Sequence, residues 1–456
     1  MAECQEDVTA LSVLDRLNGL REVISPELVR QVLVACGRGG QRACGLSHEV
    51  MTWIVLAMGI LTELPIRQVH KHSRFLRPGE KTPGRSALCE GRKRLGPRPL
   101  KDLFDRVVRP LATQRTRGCY YRGRLMVGID GTQIDLPDTE RNARFFGYPQ
   151  GGRGQGAFPQ VRKLTLVELG THVEFAFNFG PLSQGEQTLA ARLHKKLPKG
   201  CLLFQDKNFF SYESWKRLRK QGVHILARVK KNLVFPVLKT FADGSFLSKI
   251  YKTTYEREKD RNGIFVRVLR YTLDDPQRVG HGEVHLLITS LLSPRHAPAE
   301  ELISAYHERW EHELTIDEQK THQDPKRATK PAMLRSQSPR NVVQELYALS
   351  IGHFVVRALM HEAALQTDVD PDRLSFTGAF QILKARLPEC GTRLPLRDWY
   401  TALLWEISQE KLPPRRNRIN PRVIKQKIKK WPQKRAEHRH PPPLTKAFQD
   451  SVVMIP

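Results

Sequence analysis

This sequence of 456 residues lacks paired cysteines, lacks an apolar run long enough for a bilayer, and is short of acid. Its seven cysteines, Cys4, Cys36, Cys44, Cys89, Cys119, Cys201 and Cys390, are scattered and include no CxxC pair. An odd, unpaired set argues against a zinc ribbon and a disulfide framework, and it points to a reducing compartment. The longest apolar run, Trp53 to Leu61, falls well short of the roughly 20 residues that a membrane helix needs. The N-terminus, with Glu3, Glu6 and Asp7, does not follow the basic-then-apolar order of a secretion signal. A soluble, intracellular protein with no membrane partner is the expectation. No internal repeat is visible.

The shortage of acid leaves base in excess: 75 Lys+Arg stand against 47 Asp+Glu, a formal net charge of +28. Such a field concentrates polyanions, and nucleic acid is the usual partner of so basic a chain. On composition alone, a basic enzyme without such a partner stays open. The length suits two or three domains.

Residues 1–115 read as a small helical domain. Apolar positions at Val50 to Leu61, Ile66 to Val69 and Ala87 to Leu95 predict three successive helices, an arrangement that suits a helix-turn-helix. The third carries Arg92, Lys93 and Arg94 beside Arg85, as either a DNA-reading helix or a solvated basic face. Over residues 116–365 the pattern changes. LMVGIDGTQIDL, VRKLTLVEL and HVEFAFNF predict three strands, followed by a helix at Glu186 to Leu197, strand CLLFQD, a helix at Tyr212 to Gln221 and strand HILARV. That order predicts an α/β domain, a mixed sheet with helices on its faces. Between about 230 and 293 the helical signal disappears. Turn pairs Asp243-Gly244 and Asn262-Gly263 with strand-like FVRVLRYTL and VHLLITSLL indicate a β-rich insertion. Pro298 then opens a helix running through Lys320, and another covers Val342 to Leu359. Residues 366–456 form a helical C-terminal region whose tail, from about 413, is rich in Pro, Lys and Arg and is drawn to phosphates.

Carboxylates placed within this frame suggest chemistry. Phosphodiester cleavage or transfer calls for hard metal ions, which carboxylates hold. Asp130 lies in the apolar strand VGID, where an unpaired charge is costly and a metal, a partner or solvent must answer it. Asp206 ends the apolar strand CLLFQD, at a sheet mouth where ligands gather. Each is equally readable as a turn or capping aspartate. On the helix opened by Pro298, Tyr306, Arg309, Glu313 and Lys320 fall within an arc of about 60° at 100° per residue. That face offers a carboxylate, two cations and a phenol to a phosphate beside a metal. Asp317 competes for the metal role, whereas Glu308, Glu311 and Glu318 point away. An ordinary charged helix with internal ion pairs also fits.

At these residues the chain resembles the bacterial insertion-sequence DDE transposases of the IS-four type. Tyr306-x2-Arg309-x3-Glu313-x6-Lys320 reproduces that group's Tyr-Arg-Glu-Lys signature. IDGT around Asp130 and LLFQDKNFFS around Asp206 are similar to its two aspartate motifs, and LRSQSPRNVVQELYAL to its continuation. LSHEVMTWIVLAMGILTELPIRQV and SALCEGRKRLG resemble its N-terminal domain and the basic helix ending it. The resemblance covers most of the chain and is weakest in the first forty residues and in roughly 360–410. It implies an RNase H-like catalytic core preceded by a helical DNA-binding domain and interrupted by a β-rich insertion. It also implies two Mg²⁺ or Mn²⁺ ions on Asp130, Asp206 and Glu313. Tyr306, Arg309, Lys320 and Arg228 would lie on the DNA backbone. One departure stands out: Asn208 occupies the place of the group's glycine after the second aspartate, and asparagine tolerates left-handed backbone better than most residues.

The implied function is cut-and-paste transposition. The element's double-stranded inverted-repeat ends are nicked by activated water, and the freed 3′-hydroxyl attacks DNA, with the enzyme a dimer when two ends are paired. No covalent protein–DNA step is needed, and the clustered arginines and histidines of a tyrosine recombinase cannot be placed here. Two alternatives remain: a non-catalytic DNA-binding protein derived from a transposase, and a nuclease that cuts without joining.

Overall fold

The computed structural model describes residues 10–39, 45–75, 78–151, 154–230, 232–272, 283–323, 334–390 and 394–413. The basic tail expected from about 413 therefore lies almost wholly outside the described residues.

After two short helical turns, Ala10–Val13 and Asp15–Glu22, come α1 (Pro26–Ala35), α2 (His48–Met58), α3 (Ile66–His72), α4 (Arg85–Leu95) and α5 (Arg98–Val107). The three expected from sequence correspond to α2, α3 and α4. α1 and α5 lie outside the three expected helices, although Ser25 with Pro26, and Pro97 with Arg98 and Pro99, are ordinary helix starts. α2 begins where the Ser47 hydroxyl accepts the Val50 N–H at 3.2 Å, and every residue from Val50 to Met58 is buried.

The sheet is built from β1 (Arg124–Asp135), β2 (Gln160–Glu168), β3 (Val173–Pro181), β4 (Leu202–Gln205) and β5 (His224–Arg228). It is extended by β6 (Lys239–Thr240), β7 (Phe246–Ile250), β8 (Ile264–Tyr271) and β9 (His285–Thr289). Its strand order is β3-β2-β1-β4-β5-β9-β8-β7-β6. β1, β4 and β5 run parallel, and every other neighbouring pair along that order is antiparallel. The crossovers that parallel pairing demands are α7 (Glu186–Leu193), entering β4, and α8 (Tyr212–Lys220), entering β5. A further helix, α6 (Glu140–Phe146), sits between β1 and β2. The β-rich insertion does not stand apart, since β9 pairs with β5 and continues the same sheet. Asp243-Gly244 turns β6 into β7, with Gly244 at φ 79°. Asn262-Gly263 closes no tight hairpin; a helical turn, Thr254–Glu258, intervenes between β7 and β8.

The helix expected from Pro298 through Lys320 is three pieces in one path. α9 (Ala299–His307) tightens at Glu308–Arg309 into i→i+3 bonds, α10 (Trp310–Asp317) follows, and Glu318–Gln323 form a π turn. α11 (Pro339–Gln366) is then the central helix, packed against α2, α5, β3 and two later helices, α12 (Phe376–Arg386) and α13 (Leu396–Gln409). Among the described residues α11 alone is long and apolar enough to cross a membrane, and most of it is buried in protein. One apolar core runs from the N-terminal helices through the sheet to the C-terminal helices.

Candidate active site

Strand register brings the first two carboxylates together. β1 and β4 pair in parallel with Ile129 opposite Gln205, so Asp130 and Asp206 follow side by side at the carboxyl end of the pair. β4 and β5 pair with Gln205 opposite Ala227, which sets Arg228 beside Asp206 on the other flank. Asp130 Oδ1 accepts the Gly131 N–H at 2.8 Å, and its Oδ2 accepts Arg309 Nη1 at 3.2 Å. Burial pushes the Asp130 carboxyl above its ordinary range, and the charge of Asp206 adds to that, against the pull of Gly131 N–H and Arg309.

Glu313 comes from across the sheet face. Arg309 Nη2 donates to its Oε1 at 3.1 Å, so one guanidinium joins Asp130 to Glu313. Burial disfavours the charge of Arg309, yet Tyr306, Asp130, Glu313 and Asp206 hold its pKa above the usual value. Asp317 turns outward instead, accepting the Thr321 hydroxyl at 2.6 Å and facing His322 at 3.4 Å. Of the two acids, Glu313 is the one that shares Arg309 with Asp130.

The other signature residues reach the same strand ends from inside. The Tyr306 hydroxyl donates to the Gln205 carbonyl at 3.2 Å, and its ring is buried near Phe204. Lys320 Nζ donates to Thr132 Oγ1 at 3.2 Å and to the Gln133 carbonyl at 2.9 Å. Both residues brace the strands that carry the aspartates. Asn208 lies in the turn that bonds Phe209 N–H to the Asp206 carbonyl at 3.0 Å. It is absent from the residues with positive φ, so that turn needs neither glycine nor a left-handed asparagine.

The donor chemistry fits a hard divalent cation: three half-buried carboxylates, two of them joined by one guanidinium. Among the described residues, however, no three carboxylate, histidine or cysteine side chains are already grouped closely enough to hold a metal. Arg309 fills the space between Asp130 and Glu313 with positive charge.

In the N-terminal helices one expectation needs correcting. Arg92 does not present itself to DNA; it is only 5% exposed. Its guanidinium donates to Gln344 Oε1 at 3.2 Å, Ser336 Oγ at 3.1 Å and the Asn341 carbonyl at 3.0 Å. It ties α4 to the start of α11. Lys93 and Arg94 are exposed, with Lys93 Nζ 2.5 Å from Glu90. The signal was available in sequence: Leu88, Arg92 and Leu95 share one helical face, and both leucines are buried.

Sequence reading also missed a layer of buried polar residues behind Glu313. His312 is fully buried against Thr165 Oγ1 at 2.7 Å, and burial depresses its pKa to about 3. A Cβ at Gly128 would stand 2.7 Å from the His312 ring, so glycine lets α10 lie flush on β1.

Residues 14–105 match the family model for the N-terminal part of insertion element 4 transposases, and residues 122–337 match the transposase DDE domain. Together the two span about two thirds of the chain. Over 430 residues the chain is 27% identical to transposase InsG of insertion sequence element IS4 from Escherichia coli (strain K12), covering 92% of this chain and 95% of InsG. A cryo-EM structure of a piggyBac transposase synaptic complex with hairpin DNA aligns over 88% of this chain and 87% of that chain. Its 12% identity and TM-score of 0.41 make that likeness too remote to bear on the fold.

Proposed function

Because the chain belongs to the DDE transposases of the insertion element 4 group, we propose that it cuts the ends of a mobile DNA element and joins them to target DNA through a metal-dependent centre at Asp130, Asp206 and Glu313. The observation that carries this reading is Arg309 spanning Asp130 and Glu313 over the strand pair that ends in Asp206. Strand order β3-β2-β1-β4-β5, with β2 antiparallel, supports reading the core as RNase H-like.

Asp130, Asp206 and Glu313 would hold two Mg²⁺ or Mn²⁺ ions. When bound, such ions supply activation of the attacking oxygen and stabilisation of the leaving one. The protein's own part is placement. Asp130 is fixed by the Gly131 N–H, Asp206 by its strand, and Glu313 by Arg309. Arg309 offsets the repulsion between Asp130 and Glu313, and its guanidinium would be placed to meet a DNA phosphate beside them. Arg228 and Lys320 border the same strand ends and would line the path of the element's backbone, with Tyr306 buried behind them against the Gln205 carbonyl and Lys93 and Arg94 of α4 as outlying phosphate contacts. Its partners would be double-stranded inverted-repeat ends and target DNA, handled by a dimer in the bacterial cytoplasm on nucleoid DNA.

Single substitutions Asp130→Asn, Asp206→Asn and Glu313→Gln test the assignment on a labelled DNA end with Mg²⁺. Each should lower nicking by more than the roughly 10–100-fold typical of losing an outer-shell partner, while Asp317→Asn stays within a few-fold. A triad variant that nicks at the wild-type rate would remove that residue from the centre. Supplying a pre-cleaved end separates joining from cutting: products without strand transfer would leave a nuclease.

A further inference from the structure

Helix α10 carries Glu313 on one side, and its other side is polar where a buried helix face is ordinarily apolar. Glu311 accepts the Gly170 N–H, and His312 meets Thr165. In the π turn, Glu318 is gripped from three directions. Arg357 of α11 donates to both its oxygens, His353 stands 3.0 Å from Oε2, and His172 stands 3.1 Å from Oε1. Gln319 Nε2 donates to Glu174 at 2.9 Å, and Lys163 Nζ donates to Gln319 Oε1 at 2.9 Å. Gln323 Nε2 closes the turn on the Gly59 and Leu349 carbonyls, each at 2.8 Å. His172, Glu318, Gln323, His353 and Arg357 are all buried.

Apolar faces tolerate small slides, because one methyl replaces another. Hydrogen-bonded ions do not. A shift of one residue along a helix rises 1.5 Å and rotates about 100°, which would strand every partner in this layer. The π turn also matters for where the helix points. Its wider winding directs Glu318, Gln319 and Gln323 inward while Lys320 still reaches β1.

We propose that Glu318 and Arg357 are positioning residues: their buried ion pair fixes the register of α10, and so the placement of Glu313 against Asp130 for metal binding. The proposal rests on the metal-dependent reading above. Neither residue touches the carboxylate centre; they act through the helix. Misplacing a reacting group by about 1 Å costs on the order of 10²-fold, so a register fixed by ions has a catalytic consequence beyond stability.

The test uses the full chain, with Mn²⁺ binding followed by electron paramagnetic resonance, nicking measured in Mg²⁺ and in Mn²⁺, and folding followed by thermal midpoint. Glu318→Gln leaves Arg357 buried without its counter-charge, so that variant alone could fail by unfolding. The double variant Glu318→Met/Arg357→Met removes both charges at similar volume and keeps the question open to measurement. In folded double variant, half-saturating Mn²⁺ should rise about tenfold, with Mg²⁺-dependent nicking falling at least as far and Mn²⁺ restoring more of it than Mg²⁺. Arg357→Lys should recover part of both. Unchanged Mn²⁺ affinity together with an unchanged Mg²⁺-to-Mn²⁺ ratio would reduce the pair to scaffolding and overturn the proposal. Asp130→Asn, run alongside, separates the two failures. If it binds Mn²⁺ as tightly as wild type, the carboxylate reading itself falls and this proposal with it.

Discussion

Two helix interfaces in this molecule are built on opposite principles. α2 meets α11 through apolar side chains and bare backbone: a Cβ on Gly59 would overlap the Ala348 carbonyl, and one on Gly352 would stand 2.7 Å from the Gly59 carbonyl oxygen. α10 and the π turn after it meet the sheet and α11 through carboxylates, imidazoles, amides and guanidinium. The first kind of contact is strong because area leaves water; the second is selective because each polar group costs free energy unless its one partner is in place. One interface joins the N-terminal helices to α11, and the other seats the segment that carries Glu313.

The sharpest way to break that contrast is to remove one charge from the polar layer. Lys163 Nζ, itself buried, donates to Glu174 at 2.8 Å and to Ser350 at 3.0 Å. Lys163→Met leaves Glu174 buried without its cation, and the expected loss is about 3–5 kcal/mol of unfolding free energy in a denaturant titration. Lys163→Met/Glu174→Leu should regain most of it, because two well-packed apolar side chains replace a pair whose attraction mainly offsets its own desolvation. A single variant as stable as wild type would mean that water reaches Glu174 and that the layer is not dry.

Overpacking the apolar interface comes next in size. Gly59→Ala pushes a methyl into the α11 backbone, and about 1–3 kcal/mol should be lost. Per folded molecule, the Mg²⁺-to-Mn²⁺ activity ratio should not move, because the carboxylate centre is untouched. A moved ratio would say that the two interfaces are coupled, and the route is visible: Gln323 of the π turn donates to the Gly59 carbonyl.

How much of this could be read from sequence follows the same division. Alternation and apolar runs located β1 to β5, and Asp130 and Asp206 each directly follow the last residue of the parallel β1–β4 pairing, because parallel register is set by chain direction and burial. The wheel that grouped Tyr306, Arg309, Glu313 and Lys320 assumed a straight helix. It could see neither the tightening at Glu308–Arg309 nor the π turn, and so left Asp317 as a competitor beside Glu313. Buried charge was the larger omission. Lys163 in VRKLTLVEL and Glu318 beside Gln319 look like solvated positions, since a local pattern records polarity but not the partner, 35 to 39 residues on in the case of His353 and Arg357, that makes burial tolerable.

The basic run of α4 supplies the smallest effects and the finest test. Arg92, Lys93 and Arg94 are consecutive cations, and sequence alone reads them together, as a DNA-reading helix or as a solvated face. The fold divides them, because successive helix positions differ by about 100° and only Arg92 shares the face of Leu88 and Leu95. Arg92→Ala should therefore act on stability, costing about 1.5–3 kcal/mol through the lost charged hydrogen bonds to Gln344, Ser336 and Asn341. Lys93→Ala/Arg94→Ala should leave the unfolding midpoint almost unmoved, within about 0.5 kcal/mol, as surface changes do. If the α4 surface lies on phosphates, that double variant also lowers the slope of log affinity against log salt for an element end by about 1 per charge removed. An unchanged slope would make the exposed half of α4 a solvated face. A slope lowered by Arg92→Ala at unchanged stability would mean that its guanidinium leaves the core to meet DNA, against the contacts that hold it to α11.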